Sequence, residues 1–187
     1  MSNRDNHRIL IIDDNPEIHR DFAKILTPEG REQEAGLDEI AGAFFEEEGV
    51  KATRAGFTLD SAQQGHEGLR KVQMAVAEGN PYAVAFVDVR MPPGWDGFQT
   101  SLKLWEVDPD LQIIICTAYS DYAWDDVFCK VGKPDSMVVL KKPFDNIEVI
   151  QLAHALAEKK HLLQQVRHLL HQLGRSEAME SRALRDS

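Results

Sequence analysis

The feature that most limits what this chain can become is a rhythm along its 187 residues: short apolar, β-rich runs alternate with segments of helical periodicity. Residues 8–12, 57–61, 84–87, 112–117 and 137–140 read as strands. Helical patterns fall at 17–26, 66–78, 97–107 and 120–131, and a last one begins near Asp145. Five successive βα units predict an α/β domain built on a five-stranded, parallel, doubly wound sheet. Ser120 and Asp145 are suited to cap the fourth and fifth helices. One stretch breaks the rhythm. Residues 27–55 stand where a few residues would join a helix to the next strand, so an insertion is expected there. Its centre sets Leu37, Ile40, Ala41, Phe44 and Phe45 at helical spacing, but its glycines and the acidic run at 46–48 fit a variable surface loop.

Charge and length narrow the function classes. Acidic residues outnumber basic ones 31 to 21 and no basic patch is interleaved with aromatics, which argues against nucleic acid as the main partner. The polar start, MSNRDNHR, precedes only four apolar residues, too few for a signal peptide, and no run is long enough to span a membrane. A cytoplasmic protein is expected. Cys116 and Cys129 fit neither a disulfide framework nor a zinc pattern and read as reduced thiols.

In open parallel α/β sheets, ligands bind beyond the carboxyl ends of the strands. There the first strand ends in Asp13 and Asp14, and the third, FVDV, in Asp88. The fourth ends in Thr117 and the fifth, VVLKKPF, offers the ammonium of Lys142. Three converging carboxylates repel one another without a cation, and a hard-oxygen set suits Mg²⁺. With Mg²⁺ held by Asp13, Asp14 and a backbone carbonyl, Asp88 can accept a phosphoryl group whose other oxygens meet Lys142 and Thr117.

At these positions the chain resembles the receiver domain of two-component response regulators, a CheY-like phosphoacceptor with a flavodoxin-like fold. The motifs IIDD, DVRMP with its following DG, TA, KPF and LDSAQQGHEGL occur in order. The resemblance runs from about residue 8 to residue 156 and is interrupted only by the insertion. It implies that Asp88 is the phosphoacceptor and that Asp13, Asp14, Asp88 and the backbone carbonyl of Arg90 bind Mg²⁺. Thr117, Ala118 and Lys142 become the switch and phosphate-binding set, and the peptide bond from Lys142 to Pro143 is expected to be cis. The partners implied are a histidine kinase or phosphotransfer protein and a downstream output domain. Two departures stand out. The acceptor turn has one residue more than the usual pattern, and Val139 occupies a position where many receivers carry an aromatic switch residue.

From residue 146 to 173 neither Gly nor Pro interrupts the helical pattern, and Gly174 reads as a stop. Leu156, Leu163, Val166, Leu170 and Leu173 lie on a heptad seam with Lys159 at one position, and Leu162 and Leu169 widen it. The chain is therefore divided into a receiver, 1–156, and a helical extension and tail, 157–187. The extension is expected to leave the sheet at about Ala157 and pair with a second copy. His154, His161 and His168 share its outward face, and none is followed by the acidic residue that helps activate a kinase-type phosphoacceptor histidine. Two other readings compete with a phosphorylation-controlled receiver. A Mg²⁺-dependent phosphohydrolase with an aspartate nucleophile usually needs a second aspartate two residues later, where this chain has Arg90. A degenerate receiver serving only as a dimerisation scaffold does not need the complete acid and lysine set.

Overall fold

The computed structural model describes residues 8–27, 56–118 and 134–183. The insertion, the helix expected at 120–131, Tyr119 and Cys129 lie outside the described residues. Within them the order is β1 (Arg8–Ile12), α1 (Pro16–Leu26), β2 (Thr58–Ala62), α2 (Gly65–Ala77), β3 (Val84–Asp88), α3 (Gly97–Val107), β4 (Gln112–Thr117), β5 (Met137–Lys141) and α4 (Asn146–Ala183). The five strands form one parallel sheet in the order β2-β1-β3-β4-β5.

Side-chain alternation along the strands divides the core between the two faces. Leu10, Ile12, Ala85, Val87, Ile113 and Ile115 pack on one side, with Val72 and Ala75 of α2 and Leu104 and Trp105 of α3. Ile9, Ile11, Val84, Phe86, Ile114 and Cys116 pack on the other, with Phe22 and Leu26 of α1 and Val149, Ala153 and Leu156 of α4. β1, β3 and β4 are central and covered on both faces, which is why they read as unbroken apolar runs.

Helix starts follow from capping chemistry. The Asn15 side chain accepts from Glu17 N ahead of Pro16, and Asp96 accepts from Gln99 N at α3. Asp145 accepts from Ile147 N at 2.8 Å, as its position at the start of α4 leads one to expect. The helix α2 begins at Gly65 and ends at Ala77, one residue ahead of expectation at both ends. The strand β2 lies one residue later than expected. Its pairing register joins Arg8 to Thr58 and Ile12 to Ala62, while Phe57 leads into the strand, bonded to Leu26 O and buried against α1 and α4.

Gly174 does not end the last helix, which runs through it to Ala183. A glycine inside a helix costs only about 1 kcal/mol relative to alanine, too little to stop a long one. Nor does α4 leave the sheet at Ala157. Its inward stripe is Val149, Ala153, Leu156 and Lys160, and Lys160 is 1% exposed. The Lys160 ammonium donates to Asp108 Oδ2 at 2.5 Å and to the Tyr82 carbonyl at 2.6 Å, at the amino ends of β4 and β3. Two turns on, Arg167 forms a two-pronged pair with Asp110. Two ion pairs thus fasten α4 to the end of the sheet opposite the carboxylates.

Candidate functional site

β1 and β3 are neighbours, so the residues that follow their apolar runs emerge side by side. Asp13 is 3% exposed, and all four of its polar atoms are engaged. Its N–H donates to Ala62 O, and its carbonyl meets His19 Nε2 at 2.7 Å. Its Oδ1 accepts from Asn15 N at 2.9 Å and its Oδ2 from Lys142 Nζ at 2.7 Å. The same ammonium donates to Asp88 Oδ1 at 2.7 Å, and Arg90 N–H donates to Asp88 Oδ2 at 2.8 Å. One cation is therefore shared by two carboxylates from adjacent strands.

Burial pushes the Asp88 carboxyl above its ordinary value and the nearby Asp13 adds to the rise, while Lys142 and the Arg90 N–H oppose it. Burial alone would lower Lys142, but its hydrogen bonds and charge pairs with Asp13 and Asp88 raise it on balance. Thr117 is buried at the end of β4, one residue past the partner of Asp88 in the β3 to β4 register, and its carbonyl accepts from Lys142 N at 2.7 Å. Ala118, next along, is exposed, and the bond from Lys142 to Pro143 is cis.

Of the sequence-selected residues, the structure brings Asp13, Asp88, Lys142 and Thr117 to one sheet edge. Asp14 is exposed beside them, so two carboxylates and an ammonium meet where three carboxylates were expected. Among the described residues no three His, Cys, Asp or Glu side chains are grouped to hold a metal as they stand. The donor set nevertheless fits a small hard cation. Two carboxylates already bracket a positive charge, and Asp88 keeps some access to solvent. No local sequence pattern ties His19 to Asp13; the contact arises from the fold.

The acceptor loop returns tightly to α3. Gly97 N donates to Val89 O at 2.9 Å, and a Cβ at Gly97 would overlap the Asp88 carbonyl oxygen, so the close approach requires glycine. The extra residue falls in a turn closed by Gly94 N to Met91 O, with Met91 buried below.

Residues 43–154 match a family model described as the response regulator receiver domain, more than half of the chain. The chain belongs to the response regulator receiver domain family. Receivers of two-component systems are phosphoacceptor domains rather than classical enzymes, are phosphorylated by histidine kinases and generally use Mg²⁺, which favours neither the phosphohydrolase nor the scaffold reading. The receiver is 30% identical over 115 residues to the C4-dicarboxylate transport transcriptional regulatory protein DctD of Rhizobium meliloti (strain 1021). That match covers 62% of this chain and 23% of the relative. A response regulator receiver protein from Sinorhizobium medicae WSM419 has the same fold at 20% identity and a TM-score of 0.55, covering 82% of this chain and 95% of that one. A structure described as adenylate cyclase from Rhodopirellula baltica aligns at 20% identity and a TM-score of 0.64, covering 89% and 98%. No helix among the described residues is long and apolar enough to cross a membrane.

Proposed function

We propose that this receiver accepts a phosphoryl group on Asp88 from a phosphohistidine of a histidine kinase or phosphotransfer protein and relays the phosphorylated state through α4 to an output domain. The observation that carries this reading is the Lys142 ammonium held 2.7 Å from both Asp13 Oδ2 and Asp88 Oδ1. A cation is already fixed where the negative charge of a transferring phosphoryl group would gather. A carboxylate oxygen of Asp88 attacks phosphorus, the P–N bond to the donor imidazole breaks, and its electron pair stays on the imidazole nitrogen. Lys142 then donates to a phosphoryl oxygen, and the Thr117 hydroxyl takes another. Mg²⁺, bound by Asp13, Asp14, Asp88 and the Arg90 carbonyl, would neutralise part of the charge on those oxygens.

The test is direct. A small phosphodonor with Mg²⁺ should add one phosphoryl group to the peptide containing Asp88, read by mass spectrometry, and chelation of the metal should abolish it. Equal labelling of Asp88→Asn would sink the assignment, and steady turnover of phosphate esters would favour the hydrolase.

In this reading residues 1–156 form the receiver and 157–187 the relay, with the first turns of the relay tied back through Lys160 and Arg167. On the outward side of the same helix, Leu162, Leu163, Val166, Leu169, Leu170 and Leu173 are each 40–64% exposed. An apolar stripe of that kind generally marks an interface, and pairing with a second copy of α4 would bury it. Leu163→Glu combined with Leu170→Glu should convert a dimer to a monomer in light scattering, because paired charges cannot be desolvated in such a seam. A monomeric unmodified protein at high micromolar concentration, or a dimeric double variant, would refute the pairing.

A further inference from the structure

The loop that carries Asp13 and Asp14 is very short: β1 ends at Ile12 and α1 begins at Pro16. The peptide between the two aspartates therefore decides how their carboxylates diverge, one buried and bonded to Lys142, the other exposed. The carbonyl of that peptide meets a side chain from the first turns of α1, His19 Nε2, at 2.7 Å. A carbonyl only accepts, so Nε2 is the atom that carries the proton and donates. Among the described residues, Nδ1 is a buried atom with no hydrogen-bond partner.

We infer that His19 is a positioning residue for the phosphoryl-transfer site: its Nε2–H fixes the peptide between Asp13 and Asp14 and so sets both carboxylates for Mg²⁺. This rests on the reading of Asp13 and Asp14 as metal carboxylates. Groups that orient metal ligands without touching the metal matter because a ligand free to rotate loses affinity, typically by about 10- to 100-fold. The interaction is needed here because Asp14, exposed, has little packing of its own to hold it, and the carbonyl bonded to His19 is the last group before it. The rest of Asp13 is pinned from other directions by Ala62, Asn15 and Lys142.

Side-chain geometry supplies a discriminating series. Glutamine places an amide N–H near the position of Nε2, whereas asparagine reaches only as far as Nδ1. Mg²⁺ affinity, titrated by intrinsic tryptophan fluorescence, and the rate of Asp88 labelling by a small phosphodonor are measured in the unmodified chain and in His19→Ala, His19→Asn and His19→Gln. Thermal melting of each metal-free variant confirms that it folds. The expected result is about tenfold weaker Mg²⁺ binding in the alanine and asparagine variants and recovery to within about twofold in the glutamine variant. Labelling at saturating Mg²⁺ should recover more than the affinity does, since the metal then holds the carboxylates in place. Unchanged Mg²⁺ affinity in His19→Ala, or equal loss in the glutamine and asparagine variants, would overturn the assignment. Failure of the underlying reading has a different signature, an unmodified chain that takes neither Mg²⁺ nor a phosphoryl group, and it removes this role as well.

Discussion

Replacing Lys160 with alanine is expected to destabilise the receiver by about 3–5 kcal/mol, the cost of leaving one partner of a buried ion pair without the other. The Lys160 ammonium is 1% exposed and satisfies both Asp108 Oδ2 and the Tyr82 carbonyl. Truncation strands the Asp108 carboxylate, itself only 8% exposed, and an acceptor at the start of β3. For a chain of this size such a loss lowers the melting temperature by roughly 10–15 °C. Combining Lys160→Met with Asp108→Leu removes both charges together and should recover most of that loss, because an apolar pair needs no desolvation. A loss under about 1 kcal/mol in the alanine variant would mean that Asp108 finds another partner, and the tie would not hold α4.

The Lys160 shift gives a further sign. Burial pulls this lysine below the ordinary 10.5 while Asp108 opposes the shift, so the unfolded chain binds the proton more tightly than the native one. Native stability relative to the Lys160→Met variant should therefore rise with pH across the window between the depressed value and 10.5. Paired urea titrations through that window measure the difference, and a fall with pH would contradict the direction.

The second large effect is expected at Lys142. Lys142→Ala removes the cation shared by Asp13 and Asp88, leaving two carboxylates close together with one compensating charge gone. Mg²⁺ should bind this variant at least as well as the unmodified chain, since the ammonium that competes for the same oxygens is absent. The conformational response to phosphorylation should nonetheless be lost, because the lysine is proposed to act on phosphoryl oxygens and not on the metal. The measurement compares amide spectra of β5 and α4 before and after phosphorylation, at equal labelling of Asp88. A response of wild-type size in Lys142→Ala would remove the lysine from the relay. Loss of metal binding would instead show that its main task is to hold the two strand ends in place.

Much of this was legible in the sequence because the signals are local. Unbroken apolar runs such as ILII and AFV mark strands buried on both faces, and helical periodicity between them gives the alternating order from which a parallel sheet follows. The site was legible for a related reason. In such a sheet the residue after each apolar run lies at the same edge, so Asp13, Asp88, Thr117 and Lys142 could be named before any contact was known. What the sequence did not reveal depends on neighbours far away in the chain. Lys160 and Lys159 look alike in a helical run, yet one is 1% exposed, because only its position on the helix faces Asp108, 52 residues earlier. Gly174 reads as a stop by composition, but a long helix absorbs one glycine at small cost. Asp13 and Asp14 are identical in type, yet one is buried and bonded to Lys142, 129 residues away from Asp13, and the other is exposed. The bond from His19 to the Asp13 carbonyl likewise exists only once α1 has packed against the sheet. Periodicity encodes which face of an element is apolar. Which polar group meets which is settled by the packing of elements distant in sequence, where desolvation makes the right partner decisive.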